Sequence, residues 1–145
     1  VKFSNRNYDV TQKEIEPDLT FLYKSKFRAT VSYRFADKRN IIDSLESLTS
    51  HTLNTELKYN MVSDGSLLAR LTYSRINFNA FPNAENTTVG YLLLNGLLPG
   101  NNILWNAEFT KRLGGALEMR IEYEGRKPAS SNVVHTGRAS IRAIF

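Results

Sequence analysis

The sequence predicts an all-β fold, one domain over residues 1–145 built as an antiparallel meander of seven long strands. Three observations predict it. Apolar and polar residues alternate with a period of two through seven segments, and the apolar phase falls on odd-numbered positions in all of them, the pattern of strands with one apolar and one polar face. Short and long connections alternate strictly between those segments. The alternation persists to the end of the sequence, which stops on Phe145. Helical spacing fits poorly, because i, i+3 and i+4 positions repeatedly mix Arg or Glu with Leu.

The first expected strand, 12–23, sets Ile15, Pro17, Leu19, Phe21 and Tyr23 against Glu14, Glu16, Asp18 and Thr20, with 7–11 available to extend it. The second, 27–38, sets Phe27, Ala29, Val31, Tyr33 and Phe35 against Arg28, Thr30, Ser32 and Arg34. In 51–61, Leu53, Thr55, Leu57, Tyr59 and Met61 oppose Asn54, Glu56, Lys58 and Asn60. In 66–78, Leu67, Ala69, Leu71 and Tyr73 share a face opposite Leu68, Arg70, Thr72 and Ser74. Strand 102–112 sets Ile103, Trp105, Ala107 and Phe109 against Asn106, Glu108, Thr110 and Arg112. Strand 116–126 sets Leu117, Met119, Ile121 and Tyr123 against Glu118, Arg120, Glu122 and Glu124, and 135–145 closes the series. The one stretch with plausible helical character is 41–48, inside a connection.

Connections at 24–26, 63–65 and 113–115 are tight and mostly carry Gly, Asp or Ser, as hairpin turns require. Those at 39–50, 79–101 and 127–133 are longer and rich in Asn, Ser, Pro or charge. Outer-membrane barrels show this asymmetry, with short periplasmic turns and long external loops. Strands of about ten to twelve residues also approach the length of a tilted bilayer crossing.

Composition removes other classes. The 145 residues contain no Cys, which excludes disulfides, thiolate metal sites and cysteine nucleophiles. No apolar run reaches the roughly 18 residues of a membrane helix, and the mean hydropathy is -0.35. The net charge of +5 is spread among interleaved acids and bases and does not form a nucleic-acid patch. The sequence starts at Val1 without a leader, and seven is an odd strand count, whereas single-chain bacterial barrels have even ones. The expectation is therefore the carboxy-terminal part of a larger barrel, with an eighth strand from residues 3–10 as the alternative.

Alternation alone does not say which face is wet. Aromatic residues near strand ends (Tyr23, Phe27, Tyr59, Tyr73, Phe109, Tyr123) suit an interfacial girdle. Small residues on the apolar face (Ala29, Ala69, Ala107) suit lipid contact better than a packed core. On this reading Val31, Leu57, Leu71, Trp105 and Ile121 face lipid. Glu16, Arg28, Arg34, Glu118, Glu122, Arg138 and Arg142 then form a charge network across the lumen.

The stretches Tyr123-Glu124-Gly125-Arg126-Lys127-Pro128 and His135-Thr136-Gly137-Arg138, with terminal Phe145, resemble the carboxy-terminal barrel of large outer-membrane proteins of Bacteroidota. So do Gly96-Leu97-Leu98-Pro99-Gly100-Asn101-Asn102, followed by Trp105 and Asn106, and Tyr33-Arg34-Phe35 with Lys38-Arg39-Asn40. The resemblance covers nearly the whole chain. It implies an outer-membrane location and makes Ala139, Ile141, Ala143 and Phe145 the signal read by barrel-assembly machinery.

Chemistry is sparse. His51 and His135 stand at loop-side strand ends without a second ligand at metal-binding spacing. Glu118, Glu122 and Glu124 share a face, as paired acids of a hydrolase would, but are more simply partners of Arg138 and Arg142. Gly114-Gly115 opens no helix that could hold phosphate. Catalytic, metal and cofactor sites are all expected to be absent. The loop 79–101, with Phe81, Tyr91, Leu93 and Leu97, is expected to brace the lumen or to offer a partner surface. The leading expectation is a membrane anchor or structural subunit of an envelope complex, embedded in the outer membrane beside other envelope proteins, without nucleic acid. A passive channel, or a soluble barrel that binds lipid or nucleic acid, are the alternatives.

Overall fold

A computed structural model describes residues 9–42, 46–80, 82, 86–95 and 97–143. The strands are β1 (Val10–Ile15), β2 (Asp18–Tyr23), β3 (Phe27–Asn40), β4 (Ser47–Met61), β5 (Gly65–Asn79), β6 (Gly100–Gly114), β7 (Leu117–Lys127) and β8 (Val134–Ala143), with one helix, α1 (Thr88–Leu94), between β5 and β6. They form one eight-stranded antiparallel sheet in the order β1-β3-β4-β5-β6-β7-β8, with β2 also on β3. Among the described residues the sheet is open. Among the described residues no helix is long and apolar enough to cross a membrane.

The first expected strand, 12–23, is split. Pro17 has no N–H to donate to the ladder, so β1 and β2 end on either side of Glu16-Pro17. Their registers nevertheless agree: Ile15 pairs with Phe35 and Asp18 with Ser32, and the Tyr33 amide donates to the Pro17 carbonyl at 3.0 Å. The two pieces are one strand interrupted at a proline, which leaves a seven-strand meander. Residues 1–8, which would hold the alternative eighth strand, lie outside the described residues.

Most strands are longer than the sequence suggested. β4, β5 and β6 have 15 residues each, because polar ends such as Ser47–Ser50 and Asn77–Asn79 still pair beyond the apolar alternation. The connections shrink accordingly. Lys24 and Ser25, at φ 46° and 51°, make the left-handed pair that a tight hairpin needs. At the β6–β7 turn the register slips between Arg112 and Gly114, and Gly114 takes φ 153°, a bulge position that favours glycine.

Residues 41–48 are not helical where described. Ile41 and Ile42 form a turn, while Ser47 and Leu48 begin β4. Asn40 holds the connection: its amide donates to the Glu46 carbonyl at 3.0 Å, and its side-chain oxygen accepts from Ile42 at 3.3 Å. The helix lies in the long connection instead.

Odd positions pair with odd and even with even through nearly all the ladders, so one parity lines each face. The odd face is apolar and uncovered: Val31, Leu57, Leu71 and Ile121 are 41–48% exposed. The core is small, Leu48, Ile76, Leu93 and Leu94, and sits on the even face at the long-loop end. The accessible surface of 10369 Å² exceeds by more than a third the roughly 7,500 Å² expected for a folded soluble monomer of this mass. A whole sheet face lacks a cover.

Candidate functional site: a polar sheet face capped by a short helix

The even face gathers the charges, and the pairing register decides who meets whom. Glu56 accepts from Arg28 at 2.6 Å and from Arg70 at 2.9 Å, bridging β3, β4 and β5. Arg34 meets Glu16 at 2.9 Å and Glu14 at 3.4 Å. Farther along, Arg120 joins Glu108 at 3.0 Å and Glu122 at 2.5 Å, while Arg138 reaches Glu122 at 3.6 Å and Arg142 reaches Glu118 at 2.7 Å. Every residue expected in the charge network is therefore in an ion pair. Sequence reasoning missed Glu56 and Arg120 as hubs, because only the register reveals that each has two partners. Between the charged groups runs a neutral relay: Thr72 donates to Asn54 Oδ1 at 2.9 Å, and Asn54 donates to Ser32 at 3.3 Å.

Helix α1 folds onto this face. Thr87 caps it, its Oγ1 accepting from the Gly90 amide at 3.0 Å, and Asn95 ends it in the left-handed region at φ 52°, as helix termini favour. Leu93 and Leu94 pack on Leu48 and Ile76. Lys38, only 7% exposed, donates from Nζ to the Leu93 carbonyl at 3.3 Å, a cation at a helix C-terminus where the dipole favours one. Asn102, 1% exposed, donates to the Leu98 carbonyl at 2.7 Å and accepts from the Ala129 amide at 3.3 Å. It ties the two longer connections beyond β5 and β7 together. Beneath α1 lies a cavity of about 410 Å³, bordered by Glu14, Arg34, Lys38, Asn54 and Ser74.

The loop residues expected at a partner surface thus divide. Leu93 is buried against the sheet, which corrects its placement on a surface: the helix turns it inward. Leu97 packs beside that core, Tyr91 is exposed, and Phe81 lies outside the described residues. Ala139, Ile141 and Ala143 lie on the odd face of β8, the last strand of the sheet. Phe145 lies outside the described residues.

On the odd face, one pairing row runs Tyr23, Phe27, Tyr59, Leu67, Phe109 at the hairpin end. Three tyrosines make diagonal contacts across strand pairs, Tyr33 and Tyr73 on one pairing row toward the long-loop end and Tyr123 on the row of Ala107. Tyr33 Oη lies 2.6 Å from His51 Nδ1, Tyr73 donates to Asn101 Oδ1 at 3.2 Å, and Tyr123 Oη lies 2.8 Å from His135 Nδ1. Each hydroxyl reaches the same way, toward the longer connections. The six residue steps from Phe27 to Tyr33 span about 20 Å. In that interval the odd positions of β3–β6 carry no charge: Ala29, Val31, Thr55, Leu57, Ala69, Leu71, Trp105 and Ala107. The charged odd positions of the strands, Lys13, Asp37, Arg39, Arg75, Lys111 and Lys127, all fall outside it.

Trp105 is partly buried on the odd face. It pairs with Gly125, whose missing side chain lets the indole lie across the neighbouring strand; a Cβ there would come within 2.2 Å of the ring. The indole also meets the His135 ring edge-on at 5.7 Å. Gly125→Val should therefore cost about 1–3 kcal/mol through this overlap, read by denaturant titration together with a shift in the emission of the single tryptophan.

No protein-family model, curated protein or solved structure matches this chain. Among the described residues no cluster of three or more His, Asp or Glu could hold a metal ion.

Proposed function

We propose that this chain is a β-barrel segment of the bacterial outer membrane, a membrane anchor or structural subunit of a cell-envelope complex. The observation that carries the reading is the uncovered odd face: a charge-free interval about 20 Å long between a row rich in aromatic residues and a row that holds the hydrogen-bonded Tyr33 and Tyr73. The four strands β3–β6, about 4.8 Å apart, make this field on the order of 400 Å² in footprint. That is the size of the largest apolar patches on monomers, which are often functional. Lipid tails satisfy such a face, and tyrosines at its margins suit the headgroup level. The even face then becomes the lumen, crossed by ion pairs and occupied by α1.

That filling favours an anchoring role over a passive channel. It also leaves the exposed Tyr91 and the long connections facing outward, where other envelope proteins could dock. Barrel-assembly machinery would read the odd face of β8 (Ala139, Ile141, Ala143) with Phe145.

The test is fractionation of the native protein. It should sediment with outer membranes, require detergent for extraction, and give no stable ion channels in planar bilayers. Stable channels would favour the transporter reading. A protein that remains monomeric and soluble without detergent would overturn the membrane assignment.

A further inference from the structure

The outermost strands, β1–β2 on one side and β8 on the other, each present an edge that no described strand pairs. β2 and β8 are exposed along their whole described length. Lipid offers nothing to unpaired N–H and C=O groups, so the inference that follows rests on the membrane reading above.

The two edges complement each other. On the even face the first carries Glu14, Glu16 and Asp18, and β8 carries Arg138 and Arg142. Among the described residues the two glutamates pair only inward, with Arg34 of β3. Both arginines, with side chains 75% and 72% exposed, pair only inward with β7. Asp18 is in no ion pair among the described residues.

Direction and spacing set the register. Seven alternating strands, with β1–β2 counted as one, make the first and last run the same way, so the edges meet in parallel. An odd-stranded meander that closes always contains such a seam, and odd-stranded membrane barrels exist. Glu14 and Asp18 are spaced as Arg138 and Arg142 are, so a single parallel register sets one pair beside the other. Ile15 and Leu19 then lie beside Ala139 and Ala143 on the apolar face. Pro17 does not block the seam: its carbonyl faces β3, where it accepts from Tyr33, and the backbone groups of Glu16 and Asp18 alternate to the free side.

This register has the stagger of a barrel. The pairing row of Arg138 runs through Glu122, Glu108, Leu68, Lys58 and Arg28 to Leu22. From Leu22 to Glu14 is a shift of eight residues, about 26 Å along the strand against about 34 Å across seven strands. The strand tilt is then about 38°, inside the 35–45° that closed barrels adopt.

Lumen size decides how many copies close the ring. Helix α1 lies on the even face, and a helix with its side chains is about 10–12 Å across. Barrels of about eight strands hold only side chains or one small ligand, and a central helix takes about eleven. One chain is too narrow, whereas two supply fourteen strands. We propose that a second copy of this chain closes the sheet: β8 of each copy pairs in parallel with β1–β2 of the other, Glu14 beside Arg138 and Asp18 beside Arg142.

The test uses the full chain in its native membrane, floated with lipid. Copies carrying Gln12→Cys are co-expressed with copies carrying Thr136→Cys, which lie side by side in the staggered register. Thr20→Cys with Thr136→Cys is the control, because those two residues share the unstaggered row. Cysteines bridge only when their Cα atoms lie within about 7 Å. The expected result is a disulfide-linked dimer with Gln12→Cys, none with Thr20→Cys, and a dimer yield at least roughly threefold lower when Asp18→Lys is added. Absence of the dimer, or a dimer in the control alone, overturns the proposal. So does a disulfide confined to one chain when both Gln12→Cys and Thr136→Cys are placed in it, since that chain would close on itself. A yield untouched by Asp18→Lys overturns the charge pairing that sets the register. These readings are taken on membrane-inserted protein, so they can fail while the membrane assignment stands. Failure to float with lipid would instead remove that assignment, and this proposal with it.

Discussion

Leu71→Arg should cost about 2–4 kcal/mol of folding free energy in a bilayer, the depth-dependent penalty of a cation on a lipid-facing strand. That is a loss of roughly 30- to 1,000-fold in the folded-to-unfolded ratio. Leu71 lies between Thr55 and Trp105 on its pairing row, within the charge-free interval, and is 48% exposed. In water, an arginine at a half-exposed strand position would change stability by only about 0.5 kcal/mol. The same substitution therefore separates the two solvents by its size. Leu68→Arg supplies the control: three residues away on the even face, it pairs with Lys58 on one side and Glu108 on the other, in a row that already holds charge. It should stay within about 1 kcal/mol of the parent in either solvent. Urea titration in lipid vesicles, followed by Trp105 emission, reads both variants. Equal and small effects would remove lipid from the odd face.

The strands and their two faces were legible in the sequence because a period of two is a local property. No tertiary information is needed to see that Val31 and Tyr33 point opposite to Ser32 and Arg34. Where the sheet diverges from that reading, the cause is non-local or a single atom. Pro17 sits in phase with its neighbours, so periodicity passes over it, yet its missing N–H divides the strand. Helix α1 was hidden by composition: Thr88, Val89 and Gly90 are poor helix formers, whereas in the more helix-like 41–48 stretch Ile41 and Ile42 form a turn and Ser47 and Leu48 begin β4. Thr87 and Asn95, which cap the helix, do not stand out in a loop dense with Asn and Thr. Ion-pair identities needed the register. Glu56 looked like one more polar residue until Arg28 and Arg70 were placed on either side of it. The tie made by Asn102 joins connections that sequence separates by a whole hairpin, and no local pattern points to it.

Leu93→Ala should release α1 while leaving the strands intact. Leu93 is 1% exposed in a core of four large side chains, and truncation of such a leucine costs about 2–5 kcal/mol. The sheet is held independently by its ladders, so the loss falls on the local equilibrium between docked and undocked α1. Lys38→Met retains the stem that packs at the site and removes only the bond from Nζ to the Leu93 carbonyl. It should cost about 1 kcal/mol, roughly a fivefold change in the undocked population. Protease added to the outside of intact cells reads that population as cleavage within 86–95. The expected order is Leu93→Ala well above Lys38→Met, and Lys38→Met above the parent, with thermal unfolding of the sheet nearly unchanged. Cleavage no faster in Leu93→Ala than in the parent would mean that this core does not hold the helix in place. An occupied lumen, the basis for preferring an anchor to a channel, would then lose its main support. Faster cleavage without new conductance would assign the obstruction to the ion pairs centred on Glu56 and Arg120, and the helix would be a cover over a lumen already closed by charge.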